Sequence, residues 1–134
     1  MAGAQNQPQV SITAGATFAN TDLHKFIAIN SSGHAVIGPS TASGNILGTL
    51  TSVTGTTGGA GVEAVSVGLL QGRGLVRMSS STAAAGNTVA ASSLGLGTAP
   101  TTDQAALGVI VVGSSGALNR IATVAFTAAS AADV

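Results

Sequence analysis

The side chains able to do chemistry are few enough to weigh one by one. His24 and His34 are the only imidazoles, Lys25 is the only lysine, and the carboxylates are Asp22, Glu63, Asp103 and Asp133. The two histidines flank the first predicted hairpin with Asp22 close by, a placement that would bring them near each other. A catalytic metal or nucleophilic centre needs a third convergent ligand, or a nucleophile with an orienting group. The sequence offers neither, so both histidines read as solvated turn or strand-edge residues. No two carboxylates sit at a spacing that suggests general acid–base work. The expectation is therefore no catalytic, cofactor-binding or metal-ligating residue, no cofactor, and no enzymatic activity.

The remaining charges suggest contact rather than catalysis. Glu63 alternates with apolar residues on a predicted strand, while Arg73 and Arg77 flank Gly74-Leu75-Val76. At that spacing both arginines share one strand face, because side chains alternate with period 2. Glu63, Arg73 and Arg77 are the candidate subunit-interface residues, with Glu63 placed to pair with either guanidinium; an ordinary solvated strand face is the competing reading. Gly-rich stretches carry no phosphate site. Gly95-Leu-Gly97-Thr-Ala-Pro100 matches only half a dinucleotide fingerprint, has Pro100 at the third glycine position, and precedes no helix. There is no P-loop lysine and no G-x-S-x-G elbow.

Composition explains the scarcity. Of 134 residues, 75 are Ala, Gly, Thr or Ser; charged residues make up 6% and aromatics 2%, and there is no Cys. Disulfide scaffolds and thiolate metal sites are excluded. Four scattered cations at net charge zero argue against a nucleic-acid surface. The longest apolar run, residues 105–113, is about half of what a spanning helix needs, so no membrane partner is expected. The N-terminal residues carry neither a cationic patch nor an apolar run, which points to a cytosol-like compartment or assembly there into something larger. Only 35 large apolar side chains (Val, Ile, Leu, Phe and Met) serve the whole chain. So thin a core favours burial of further surface against other copies or a partner.

Short β-branched runs cut by Gly, Ser and Asn give an all-β signature within a single domain. The predicted strands are Gln9–Thr13, Lys25–Asn30, Ala35–Ile37, Ile46–Val53, Val62–Val67, Leu75–Met78, Thr88–Ala91, Leu107–Val112 and Asn119–Phe126. Val109–Val112, the most continuous apolar stretch, should be central and covered on both faces. Residues 1–9 read as an extended arm, 10–127 as the β domain, and 128–134 as a flexible tail. Helix signals are weak, with at most a single turn near Thr82–Gly86. Asn30-Ser31-Ser32 reads as the hairpin turn before Gly33.

An internal repeat organises the strands. Asn30-Ser-Ser, Pro39 and Leu47-Gly48 recur as Ala91-Ser-Ser, Pro100 and Leu107-Gly108, the Ser-Ser and Pro landmarks 61 residues apart and the Leu-Gly pair 60. Two units of about 45 residues would pair into one small barrel or sandwich, and closure would remove edges that scarce Lys cannot protect.

The order of segments resembles the Ala/Gly/Thr-rich capsid decoration, or head cement, proteins of tailed bacteriophages. The residues that carry it are Lys25-Phe-Ile-Ala-Ile-Asn30, Ile46-Leu-Gly-Thr-Leu50, Val65-Ser-Val-Gly68, Ala85-Gly-Asn-Thr-Val89, Ala106-Leu-Gly-Val-Ile110 and Ile121-Ala-Thr-Val-Ala-Phe126, spanning roughly 10–127. Each is short and unspecific, and their order carries the resemblance. The chain departs in Gly86-Asn87, where Gly-Asp is expected, and in a longer Thr/Gly loop at 54–61. The resemblance implies a compact, β-tulip-like barrel or sandwich, usually trimeric. Such a protein binds the outside of the virion head after assembly in the host cytoplasm and clamps neighbouring major capsid subunits. The polar arm then becomes the expected capsid contact, through Gln5, Asn6, Gln7, Pro8 and Gln9. A β-rich tail-fibre or adhesin-like binding module is the alternative.

Overall fold

The computed structural model describes residues 8–38, 46–53, 57–58, 63–79, 82–92, 94–100, 106–115 and 120–127. The chain forms β1 (Gln9–Thr13), β2 (Phe18–Ala19), a 3-10 turn (Asn20–Asp22), β3 (Phe26–Ile29), β4 (Ala35–Ile37), β5 (Ile46–Ser52), β6 (Thr57–Gly58) and β7 (Ala64–Leu69). There follow β8 (Arg73–Arg77), β9 (Thr82–Ala83), β10 (Thr88–Ala91), β11 (Gly97–Thr98), β12 (Gly108–Val112), β13 (Ser114–Ser115) and β14 (Ile121–Phe126). The first half builds one five-stranded sheet in the order β1-β7-β5-β3-β4. The second half builds another in the order β11-β10-β12-β14-β8. All ladders are antiparallel, and the architecture is a sandwich rather than a closed barrel.

The two sheets are the same sheet made twice. Gln9↔Gly68 through Thr13↔Ala64 in β1/β7 match Arg73↔Ala125 through Arg77↔Ile121 in β8/β14. Gly48↔Leu69 matches Gly108↔Phe126, and both ladders then slip at one place, between Leu50 and Ser52 and between Ile110 and Val112. Ala28↔Val36 matches Ala90↔Thr98, and the β2/β6 pair matches β9/β13. Even the isolated parallel bridges correspond: Ala14↔Ala35 and Met78↔Gly97 bring the outer strands of each sheet together at one residue. The units run Gln9–Leu69 and Arg73–Phe126, longer than the 45 residues that spacing suggests.

The turns match too, with a one-residue correction. Asn30 Oδ1 accepts from the N–H groups of Ser32 (3.0 Å) and His34 (2.9 Å). Ser92 Oγ accepts from Leu94 and Leu96, both at 3.3 Å. Asn30 is thus the counterpart of Ser92, whereas aligning the Ser-Ser pairs sets it against Ala91. Short polar side chains that bond the backbone two residues on fix such turns. Gly33 and Gly95 follow with φ of 79° and 76°, which only glycine adopts at little cost.

Two cores hold the sheets. One lies within the first half and contains Phe18, Ile27, Leu50, Val65 and Val67. The other draws Phe26, Ala28 and Ile46 from the first half into contact with Val76, Met78, Val89, Ile110 and Val124 of the second. β3 therefore buries both faces, Phe26 and Ala28 on one side and Ile27 on the other. Val109–Val112 does not behave as expected. β12 is the middle strand of its sheet, yet Val111 and Val112 are each 42% exposed. The bulge after Ile110 breaks the alternation and turns the strand's end to solvent.

Strand limits shift where glycine reads as a breaker. β7 runs on through Gly68, and β8 starts at Arg73, ahead of Gly74. Gly48 is required inside β5 because a Cβ there would fall on the Gly68 carbonyl oxygen. Gly108 is its counterpart, where a Cβ would lie 2.6 Å from the Ala125 oxygen. The tail expected at 128–134 lies outside the described residues.

Candidate functional site

His24 and His34 stand at opposite ends of the β3–β4 hairpin, one before β3 and the other before β4. Six residue steps along β3 and its flanks separate His24 from Asn30, about 20 Å at the rise of a strand. The expected proximity of the two imidazoles therefore fails. The flaw is in the topology: residues before a first strand and before its antiparallel partner lie at opposite ends of the hairpin. Among the described residues no three His, Asp or Glu side chains gather as a metal-holding group.

His24 nonetheless occupies an unusual place. Its φ is 70°, the only positive value at a non-glycine position among the described residues. Its N–H donates to Leu50 O (2.8 Å) and its carbonyl accepts from Arg77 N (2.9 Å), so its backbone links the two halves. Asp22 shapes the approach, accepting from Ala19 N at 3.0 Å and pairing with Lys25 Nζ at 2.9 Å. The His24 Nδ1 atom is buried without a hydrogen-bond partner. Burial, and then the neighbouring Arg77 guanidinium, push the imidazole pKa below its ordinary value. The neutral ring is favoured, and it packs the junction with no orienting acceptor.

Of the expected interface residues, Arg73 and Arg77 share β8 on the second sheet, while Glu63 leads into β7 on the first. Glu63 O accepts from Ala14 N at 2.8 Å. Arg77 serves the chain itself: its Nε donates to Leu23 O at 3.2 Å, and its N–H to His24 O. It is a contact between the two halves of the chain. Composition favoured an interface, but only the duplicated topology reveals an internal one.

Gln5, Asn6 and Gln7 lie outside the described residues; Pro8 and Gln9 lie within them. Pro8 O accepts from Leu69 N at 2.9 Å, and Gln9 Oε1 accepts from the Thr51 hydroxyl, so both are tied to the first sheet. β1 is the outer strand of that sheet, with β7 as its ladder neighbour. Leu69 N to Pro8 O and Ala14 N to Glu63 O set the alternation, by which Ser11 turns its backbone groups away from β7. Val111 and Val112 add an exposed apolar pair that sequence reading placed in the core. No helix among the described residues is long and apolar enough to cross a membrane. Comparison with protein-family models, with curated proteins and with solved structures finds no match to this chain.

Proposed function

We propose that this chain is a non-enzymatic capsid decoration protein that binds the outer surface of a phage head and clamps neighbouring major capsid subunits. The supporting observation is the position of β1. It is an outer strand that continues directly into the polar N-terminal residues, so a strand edge of the shell can be joined through main-chain hydrogen bonds. That mode needs no special side chain, which suits a chain with 6% charged residues. Exposed Val111 and Val112 offer apolar contact area besides. A homotrimer engages several shell subunits at once, and linked weak contacts resist the internal pressure of packaged DNA by avidity.

The test is removal of residues 2–7, stopping short of Pro8 because its carbonyl holds Leu69 N. The shortened protein keeps its fold and its oligomeric mass but no longer sediments with expanded heads. Undiminished head binding by it would eliminate the arm as the contact.

A further inference from the structure

The two halves meet through surfaces that are not equivalent, and this leaves one copy of each surface unused. On the first half, the segment from Leu23 to Phe26 offers its backbone. Arg77 N donates to His24 O at 2.9 Å, Arg77 Nε donates to Leu23 O at 3.2 Å, and Phe26 N donates to Gly95 O at 2.7 Å. On the second half the receiving surface is the end of β8 and the Ser92–Leu96 turn. That turn is pressed close: a Cβ on Gly95 would lie 2.7 Å from Ile37 Cγ2.

Register supplies the counterparts. Leu23–Phe26 corresponds to Ala85–Thr88, Arg77 to Thr13, and Gly95 to Gly33. Ala84 through Thr88 are all exposed, as are Ser31, Ser32 and Gly33, whereas Gly95 and Phe26 are buried. A Cβ on Gly33 or on Gly86 would meet nothing within 4 Å. Thr88 begins β10 with its N–H directed away from β12, as Phe26 does relative to β5. Thr13 likewise turns its N–H away from β7. The Ala84–Thr88 segment of the second half and the Ser31–Gly33 turn of the first are exposed, and Thr13, whose neighbour Ala14 bridges to Ala35, is half-buried. Being on one chain in this arrangement, the two surfaces cannot satisfy each other.

From this we infer that a second copy of this chain docks head to tail, its Ala85–Thr88 segment on the Thr13 edge and Asn30–His34 turn of its neighbour. Thr88 N–H donates to the neighbour's Gly33 carbonyl, and the neighbour's Thr13 N–H to Gly86 O. Each junction repeats the contact already made inside the chain. Ala84, Ala85 and Gly86 place no long side chain in the way. A heterologous contact of this kind closes into a ring or runs on as a filament, according to its rotation. The homotrimer proposed above is then a ring of six like units, alternately joined by covalent links and by docking. This inference rests on that homo-oligomeric reading and gives it a surface.

Sedimentation velocity across a range of concentrations tests it with three proteins. The unaltered chain runs at three times its 12.7 kDa mass. Thr88→Pro removes the donor at the first residue of a strand, where proline is tolerated, and runs at the single-chain mass. Ser32→Arg fills the receiving turn from an exposed position without altering backbone preference and does the same, so one variant remains informative if the other fails to fold. A Gln71→Arg control, exposed elsewhere, leaves the ring intact. A single-chain mass for the unaltered protein at every concentration overturns the inference, as does an oligomer that survives both substitutions. Heads separate it from the proposed function. An oligomer that survives both substitutions and binds heads refutes only the head-to-tail surface. A ring broken by both that binds no head refutes only decoration.

Discussion

His24 and Gly86 occupy the same position in the two halves of the chain, with φ of 70° and 92°, before the first residues of β3 and β10. The hydrogen bonds around them match: His24 N to Leu50 O and Gly86 N to Ile110 O, then Leu50 N to Lys25 O and Ile110 N to Asn87 O. The backbone requires a left-handed residue at both places. Glycine meets that requirement where the turn is open, and histidine stands where the turn is docked against Arg77.

The pH dependence of stability follows from this. Burial and Arg77 hold the His24 pKa below its ordinary 6.5, so the unfolded chain binds its proton first as pH falls. Stability from the neutral ring is complete above pH 6.5 and is lost as pH falls through the depressed folded value. Denaturant melts at pH 7.5 and pH 5 should show the lower midpoint at pH 5; equal midpoints would remove His24 from the balance.

His24→Gly converts the first half to the chemistry of the second. It relieves a left-handed conformation and deletes a buried nitrogen without a partner, together worth about 1–3 kcal/mol. The variant should melt above the unaltered chain at pH 5 and lose most of the pH slope. A lower melting temperature at both pH values would mean that imidazole packing outweighs the strain.

Gly48→Ala and Gly108→Ala test the close approach of paired strands. A Cβ at Gly48 meets only backbone atoms, and one at Gly108 meets the Ala125 carbonyl oxygen as well as Val124 Cγ1, so relief at either place requires strand displacement. Gly108→Ala should cost about 1–3 kcal/mol, as overpacking does, and Gly48→Ala more. Chemical denaturation gives both values; costs below 0.5 kcal/mol on the order of experimental error would contradict the approach.

Asn30→Ala strips the acceptor from the Ser32 and His34 amides, and Ser92→Ala from those of Leu94 and Leu96. Each should lose about 1 kcal/mol. Hydrogen exchange should quicken at the affected turn alone, whereas unchanged protection at Ser32 and His34 would show that the turn holds without its side chain.

Much of the fold was legible because apolar β-branched runs alternate and glycine marks their ends. Gln9–Thr13, Ala35–Ile37 and Thr88–Ala91 are strands at their expected limits. The repeat was legible through Leu47-Gly48 and Leu107-Gly108, since the same strand crossing demands the same glycine. Its two-residue strands were not, because pairs such as Phe18–Ala19 with Thr57–Gly58 are too short to establish a period. Nor was the exposure of Val111, which depends on a bulge that hydropathy does not encode. His24 read as a solvated turn residue because nothing local announces Arg77, which reaches it only through the stacking of two sheets.

The proposal as a whole is tested most directly by co-sedimentation of the purified protein with expanded phage heads that lack it, counting bound copies by mass. Decoration predicts saturable binding in multiples of three per local site and a higher temperature of head rupture. Failure to bind heads of its own phage, at concentrations where the protein is folded and assembled, would contradict it and favour an adhesin-like binding module.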